Sequence, residues 1–172
     1  MAAIINTMSR DFTQGYAGID YVLLSDFSAF DVSSYTAADS TGYVNFTTEL
    51  STNWVKVVPR IGTSNFTETG NINRANGANT YTQNLSLSFP ANTVVKRNAI
   101  ATLGNKEIRA IIVDKNGTAI CYGAKNGLTL TAPTFESGTV GGDYNGMKMV
   151  FAGDEPVPAY YIDSSTLKRL TP

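Results

Sequence analysis

The chain has 172 residues, with 13 basic and 14 acidic side chains and a formal net charge of −1. That length carries one domain with a real core, and the near-neutral charge excludes the global basic field of a nucleic-acid binder. With no histidine in the chain, the commonest general base and metal ligand is missing and histidine-based triads are excluded.

Met1 to Asn6 lacks the basic start and sustained apolar core of a secretory signal, and no run approaches the length of a membrane span. A cytoplasm-like compartment and no membrane partner are expected. Gly15 to Phe30 holds Ile19, Tyr21, Val22, Leu23 and Leu24, a first strand with exposed acidic ends. Asp31 to Ser40 has no periodicity and reads as loop. Tyr43, Val44, Asn45 and Phe46 suggest a brief second strand. Trp54, Val55, Val57, Val58, Ile61 and Phe66 are interrupted by Pro59 and Gly62, which predicts an edge strand or two strands joined by a bulge. Trp54 anchors either a core or an interface.

Thr67 to Thr80, with Glu68, Gly70, Asn71, Asn73, Arg74, Asn76, Gly77 and Asn79, is the most polar run. Lying between two strand-like segments, it reads as the long tip of a hairpin or as a floppy loop. Tyr81 to Phe89 alternates Tyr81, Leu85, Leu87 and Phe89 with Thr82, Asn84, Ser86 and Ser88, the pattern of a half-buried antiparallel strand. Asn92-Thr93, then Val94, Val95, Ile100 and Leu103, closed by Gly104, supply a cap, helical spacing and a stop. Lys96, Arg97 and Asn98 would form the wet side of that helix.

The stretch from Lys106 to Tyr161 organises the rest. Ile108 to Val113 is short, apolar and β-branched, a strand buried on both faces. Asp114-Lys115-Asn116-Gly117 turns it into Thr118 to Gly123, with Ile120 and Tyr122 on one face and Ala119 and Cys121 on the other. Asn126-Gly127 predicts a second hairpin into Leu128 to Ala132, and Asn145-Gly146 opens a strand whose Met147, Met149 and Phe151 share a face. Gly153 to Pro158 ends the sheet, because proline cannot donate to a ladder. Ala159 to Pro172 reads as a C-terminal tail, placed on a neighbouring subunit.

Lone Cys121, mid-strand, offers no disulfide and reads as a buried inert thiol. The asparagine glycosylation matches at Asn45, Asn65, Asn84 and Asn116 carry no weight without secretion. No phosphate-binding glycine loop occurs, and the adjacent carboxylates Asp154 and Glu155 point opposite ways on a strand. The Asp114/Asn116 and Asp143/Asn145 loops have too few acidic ligands for calcium and read as turns. No catalytic residue, metal site or cofactor is expected. Charge is segregated: Asp11, Asp20, Asp26, Asp31, Asp39 and Glu49 in front, and Lys56, Arg60, Arg74, Lys96, Arg97, Lys106, Arg109, Lys115 and Lys125 in the middle. This is either solvated surface or a way for one subunit's front to meet the next subunit's middle.

The run from Tyr81 to Tyr161 resembles the tail tube-like virion proteins of tailed bacteriophages, particularly the small tail and ring proteins of phages infecting Bacteroidales, including the crAss-like group. The resemblance lies in Leu85-Ser86-Leu87-Ser88-Phe89, the helix from Arg97 to Leu103, Ile111-Ile112-Val113-Asp114, Asn116-Gly117, Gly123 with Asn126-Gly127-Leu128, Asp143-Tyr144-Asn145-Gly146, Phe151 to Glu155 and Pro158-Ala159. It covers about half of the chain. The resemblance implies a small antiparallel β-barrel or sandwich with one flanking helix, assembled into homo-oligomeric rings around the DNA ejection channel. It also implies other tail or portal-vertex proteins as partners, a virion location after assembly in the host cytoplasm, and no enzymatic role.

A wall that lets duplex DNA slide is better polar than basic. Asn84, Ser86, Ser88, Thr129 and Thr131 are therefore the expected channel-lining residues. Glu68, Asn71, Arg74 and Asn76 in the hairpin tip, with Asp31 and Asp39 in the acidic loop, are the expected contacts between subunits. The alternative is a capsid decoration or carbohydrate-binding β-sandwich module using Tyr16, Tyr35, Tyr43 or Tyr144.

Overall fold

Short alternating runs separated by turn residues cannot bury an apolar face alone, and they do so here by forming two stacked sheets. The structure is a computed structural model describing residues 18–27, 35–36, 43–46, 54–75 and 77–170. In chain order the elements are β1 (Ile19–Asp26), β2 (Tyr35–Thr36), β3 (Tyr43–Phe46), β4 (Val55–Val57), β5 (Asn65–Asn73), β6 (Ala78–Pro90), α1 (Val94–Leu103), β7 (Ile108–Asp114), β8 (Ala119–Tyr122), β9 (Thr129–Leu130), β10 (Thr134–Glu136), β11 (Gly146–Glu155), β12 (Tyr160–Ile162) and α2 (Ser164–Leu170). A seven-stranded sheet runs β2-β3-β12-β8-β7-β1-β4, and a five-stranded sheet runs β10-β11-β6-β5, with β9 also on β11. All these pairings are antiparallel except β12 with β3. Both sheets keep free edges, so the fold is a sandwich and not a closed barrel.

β7 is buried along its length, as its unbroken β-branched run predicts. Its Ile108, Ala110 and Ile112 pack with Leu85, Leu87, Phe89, Met147, Met149 and Phe151 of the facing sheet. Ile111 and Val113 face the other way, into a second cluster with Leu23, Trp54, Cys121, Ile162 and Leu170. Trp54 is therefore a core residue, 2% exposed. The Asp114 to Gly117 turn closes β7 onto β8 as expected, with Gly117 at φ 82° and the Asp114 carboxylate accepting from the amides of Asn116 and Thr118.

Several expectations are corrected. Asn126-Gly127 does not make a second hairpin. Leu128 forms a single bridge to Ile108, and β9 then pairs with β11, so this corner carries the chain from one sheet to the other. Most of the polar run is strand: β5 covers Asn65–Asn73 and pairs with β6 residue for residue, from Asn65 opposite Ser86 to Asn73 opposite Ala78. β11 continues through Gly153 to Glu155 before the prolines end it. The C-terminal segment is no free tail, because β12 is inserted between β3 and β8, and Ile162 and Leu170 lie in the core. In α1 only Ile100 is buried; Val94 and Val95 are 74% and 78% exposed, so their apolar character serves no packing within the chain. β2 interrupts the loop expected from Asp31 to Ser40, whose other residues lie outside the described ones.

Candidate functional site

In β6, side chains of one parity (Tyr81, Gln83, Leu85, Leu87, Phe89) turn towards the facing sheet, and those of the other parity (Thr82, Asn84, Ser86, Ser88) turn outward. The register extends that outward face across its neighbours. Thr69 lies opposite Thr82, Thr67 opposite Asn84 and Asn65 opposite Ser86 on β5. Asp154, Ala152, Val150 and Lys148 lie opposite Thr82, Asn84, Ser86 and Ser88 on β11. Thr129 pairs with Ala152 on the far side of β11. Thr129 and Thr131 hydroxyls donate to the Ala152 and Val150 carbonyls at 3.2 and 3.0 Å.

The fold thus brings Asn84, Ser86, Thr129 and Thr131, separated by more than forty positions in sequence, onto one side of the five-stranded sheet, where the Ser86 hydroxyl oxygen is nevertheless buried and only Asn84, Thr129 and Thr131 present polar groups to the surface. Among the described strand residues this surface carries one cation, Lys148, and two anions: Glu136, opposite Gly146 on β10, and Asp154, whose carboxylate accepts from the Thr82 hydroxyl at 2.6 Å. Ser88 shares their parity but is only 4% exposed, because residues 60–64 cross over it. Its amide donates to the Ser64 hydroxyl at 3.0 Å, its hydroxyl donates to the Thr63 carbonyl at 3.2 Å, and its carbonyl accepts from the Arg60 amide at 2.7 Å. Ser88 is consequently not a wall residue in the folded chain.

The expected contact residues divide. Asn71 and Arg74 are exposed on the β5–β6 hairpin. Glu68 is also exposed, but it lies on the inner-facing parity of β5, and its carboxylate accepts from the Ala159 amide at 2.7 Å and from Gln83 Nε2 at 3.2 Å, so it fastens the hairpin to its own chain. Asn76, Asp31 and Asp39 lie outside the described residues. The acidic front meets the basic middle within one chain at Asp26, which pairs with Lys106. Of the tyrosines considered for sugar binding, Tyr144 uses its hydroxyl on the Phe89 and Met147 carbonyls and has Arg60 over its ring. Tyr16 and the side chains of Tyr35 and Tyr43 lie outside the described ones.

Two buried polar residues hold this sheet to its neighbour, and neither was singled out for such a role in the sequence. Gln83, 1% exposed, accepts from the Gly123 amide at 2.9 Å. Its sequence signal is a polar residue in the apolar phase of β6. Glu155, also 1% exposed, accepts from the Lys125 amide at 3.1 Å and from the Asn126 amide at 2.9 Å, clasping the corner where the chain changes sheets. Burial raises its pKa from the ordinary 4.5, while the amides of Asn126, Lys125 and Gly127 and the charge of Arg109 pull the other way.

The loop carboxylates are likewise structural. Asp143 accepts from the Thr139 amide and hydroxyl, both at 2.8 Å, and from the Val140 amide at 3.0 Å, which lowers its pKa. Cys121 is fully buried and its pKa is pushed up to about 12. Among the described residues no cluster of acidic and thiol side chains is placed to hold a metal ion. No helix there is long and apolar enough to cross a membrane.

An apolar cavity of about 610 Å³ opens at the far end of the sandwich. Leu24, Val55 and Val57 line it from one sheet, Phe89, Met147 and Met149 from the other, and Ala99, Thr102 and Leu103 from α1. No protein-family model, curated protein or solved structure matches the chain.

Proposed function

We propose that this chain is a structural virion protein that assembles with copies of itself into rings of a bacteriophage tail around the DNA ejection channel. The observation that carries the reading is the outer face of the five-stranded sheet: hydroxyls and amides from β5, β6 and β9, with Lys148 on β11 outnumbered by the carboxylates of Asp154 and Glu136. Such a face solvates a passing polyanion without gripping its phosphates, as a cluster of lysines would. Other tail or portal-vertex proteins are the proposed partners, and DNA passes without specific binding.

The hairpin supplies independent support. β5 is a nine-residue strand at the edge of the sheet formed by the described residues, its burial is confined to Phe66, and it carries neither lysine nor proline to guard that edge. Beyond Tyr81, where β11 ends, residues 71–73 and 78–80 continue as a two-stranded ribbon, which is marginal alone in water and gains by contact with another molecule.

Size-exclusion chromatography with light scattering, followed by negative-stain microscopy, tests this directly: large rings are expected, and a solitary monomer at all concentrations overturns it. Deleting 70–79 should abolish assembly while leaving the sandwich folded, since 65–69 would remain paired with 82–86. A glycan array should show no binding; saturable sugar binding by a monomer would favour the decoration-module alternative.

A further inference from the structure

Two features at opposite ends of the five-stranded sheet remain without a role. Ile72 sits in the ribbon with 63% of its surface exposed, flanked by Asn71 and Asn73 and opposite Asn79. It shares its parity with Phe66, which packs edge-on against Tyr122, so it continues the inner face of the sheet past the point where the other sheet can cover it. Phe89 lines the apolar cavity at the other end of β6. Ten residues of extended chain between Asn79 and Phe89 put the two roughly 34 Å apart at ~3.4 Å per residue, so Ile72 cannot fill the cavity of its own chain.

We infer that the ribbon tip of one copy docks into the apolar cavity of the next, with Ile72 as the apolar anchor, making a head-to-tail contact. This rests on the self-assembly reading and names the surfaces that join. Charge supports the match. The residues next to and opposite Ile72 are uncharged amides, with Arg74 at the turn as the nearest charge, and the ionic groups at the cavity rim already have partners: Lys106 pairs with Asp26, and Lys96 donates to the Pro90 and Ala91 carbonyls. Arg74 can stay in water at the rim, so the buried part of the contact takes in no uncompensated charge. Asn71 and Asn73, adjacent to Ile72 on the strand, point to the opposite face and stay in water as Ile72 enters. Because tip and cavity are different patches, the contact is heterologous and propagates into a closed ring or a filament instead of stopping at a twofold dimer.

The test uses Ile72→Asp, which spoils the tip, and Ala99→Trp, which fills the cavity from the exposed side of α1 and leaves the core residues alone. Each variant, verified as folded by circular dichroism, should weaken assembly by about 10- to 100-fold, the effect of exposing one large apolar side chain. An equimolar mixture should form dimers and nothing longer, because only one intact tip and one intact cavity remain per pair. Oxidation of an Ile72→Cys/Thr102→Cys protein should give a ladder of linked chains, with buried Cys121 not participating. If Ala99→Trp alone blocks assembly, another segment occupies the cavity and the inference falls. If neither variant affects wild-type-like rings, this contact is wrong while the ring reading stands. If the unaltered protein never assembles, both fall.

Discussion

Replacing Glu155 with alanine should destabilise the protein by about 2–4 kcal/mol. The carboxylate accepts from the amides of Lys125 and Asn126 and sits in the field of Arg109, itself 2% exposed. Hydrogen bonds to a charged acceptor contribute roughly 1.5–3 kcal/mol each, and removing one partner of a buried charge adds the cost of stranding the other. The contributions do not add in full, because Lys125 and Asn126 are exposed residues whose amides water can reach once the side chain is gone. Urea unfolding followed by the fluorescence of Trp54, the sole tryptophan and a buried one, reads the loss. At a slope of about 2 kcal/mol per molar, the midpoint falls by roughly 1–2 M. A midpoint within about 0.25 M of wild type would refute the claim that this carboxylate holds the corner. Glutamine keeps one acceptor oxygen and should lose about half as much.

The pH dependence has a defined sign. Burial raises the folded pKa of Glu155 above 4.5, so the native state binds the proton more tightly than the unfolded chain does. The extra stability that comes from holding this proton is complete below 4.5 and declines as pH rises through the raised folded value, where the ionised carboxylate keeps its bonds to the two amides; the deficit of Glu155→Gln relative to wild type should therefore shrink over that rise in parallel denaturation series. Gly153→Ala should cost at least about 2 kcal/mol by the same assay, since a Cβ there would lie 2.4 Å from the Gly127 carbonyl oxygen, a backbone atom that cannot swing aside. Thr93→Ala removes the hydroxyl that accepts from the Lys96 amide and should weaken α1 by about 1 kcal/mol. Hydrogen exchange should accelerate in 94–103 and stay unchanged in β7, because α1 buries only Ile100. Cys121 should resist alkylation at pH 8 in the native protein and react once urea unfolds it, given full burial and a pKa pushed up to about 12.

The amino-acid sequence by itself determined the strands whose side chains follow one simple period. The β-branched run of β7, the alternation of β6, the shared face of Met147, Met149 and Phe151, and the Asp114 to Gly117 turn are local signals that a chain carries whatever its neighbours do. Only the tertiary structure decided the destination of each strand. Asn126-Gly127 reads as a hairpin turn, yet Glu155, distant in sequence, binds the preceding amides, and the chain leaves for the other sheet. Residues 67–73 look too polar for a strand, because at an edge the backbone ladder with β6 stabilises extended chain without any apolar burial. The common outward face of Asn84, Thr129 and Thr131, and the loss of Ser88 from it, likewise follow from register and from a crossing loop. Pairing partners are long-range and set by which faces must be covered, and no local period encodes them.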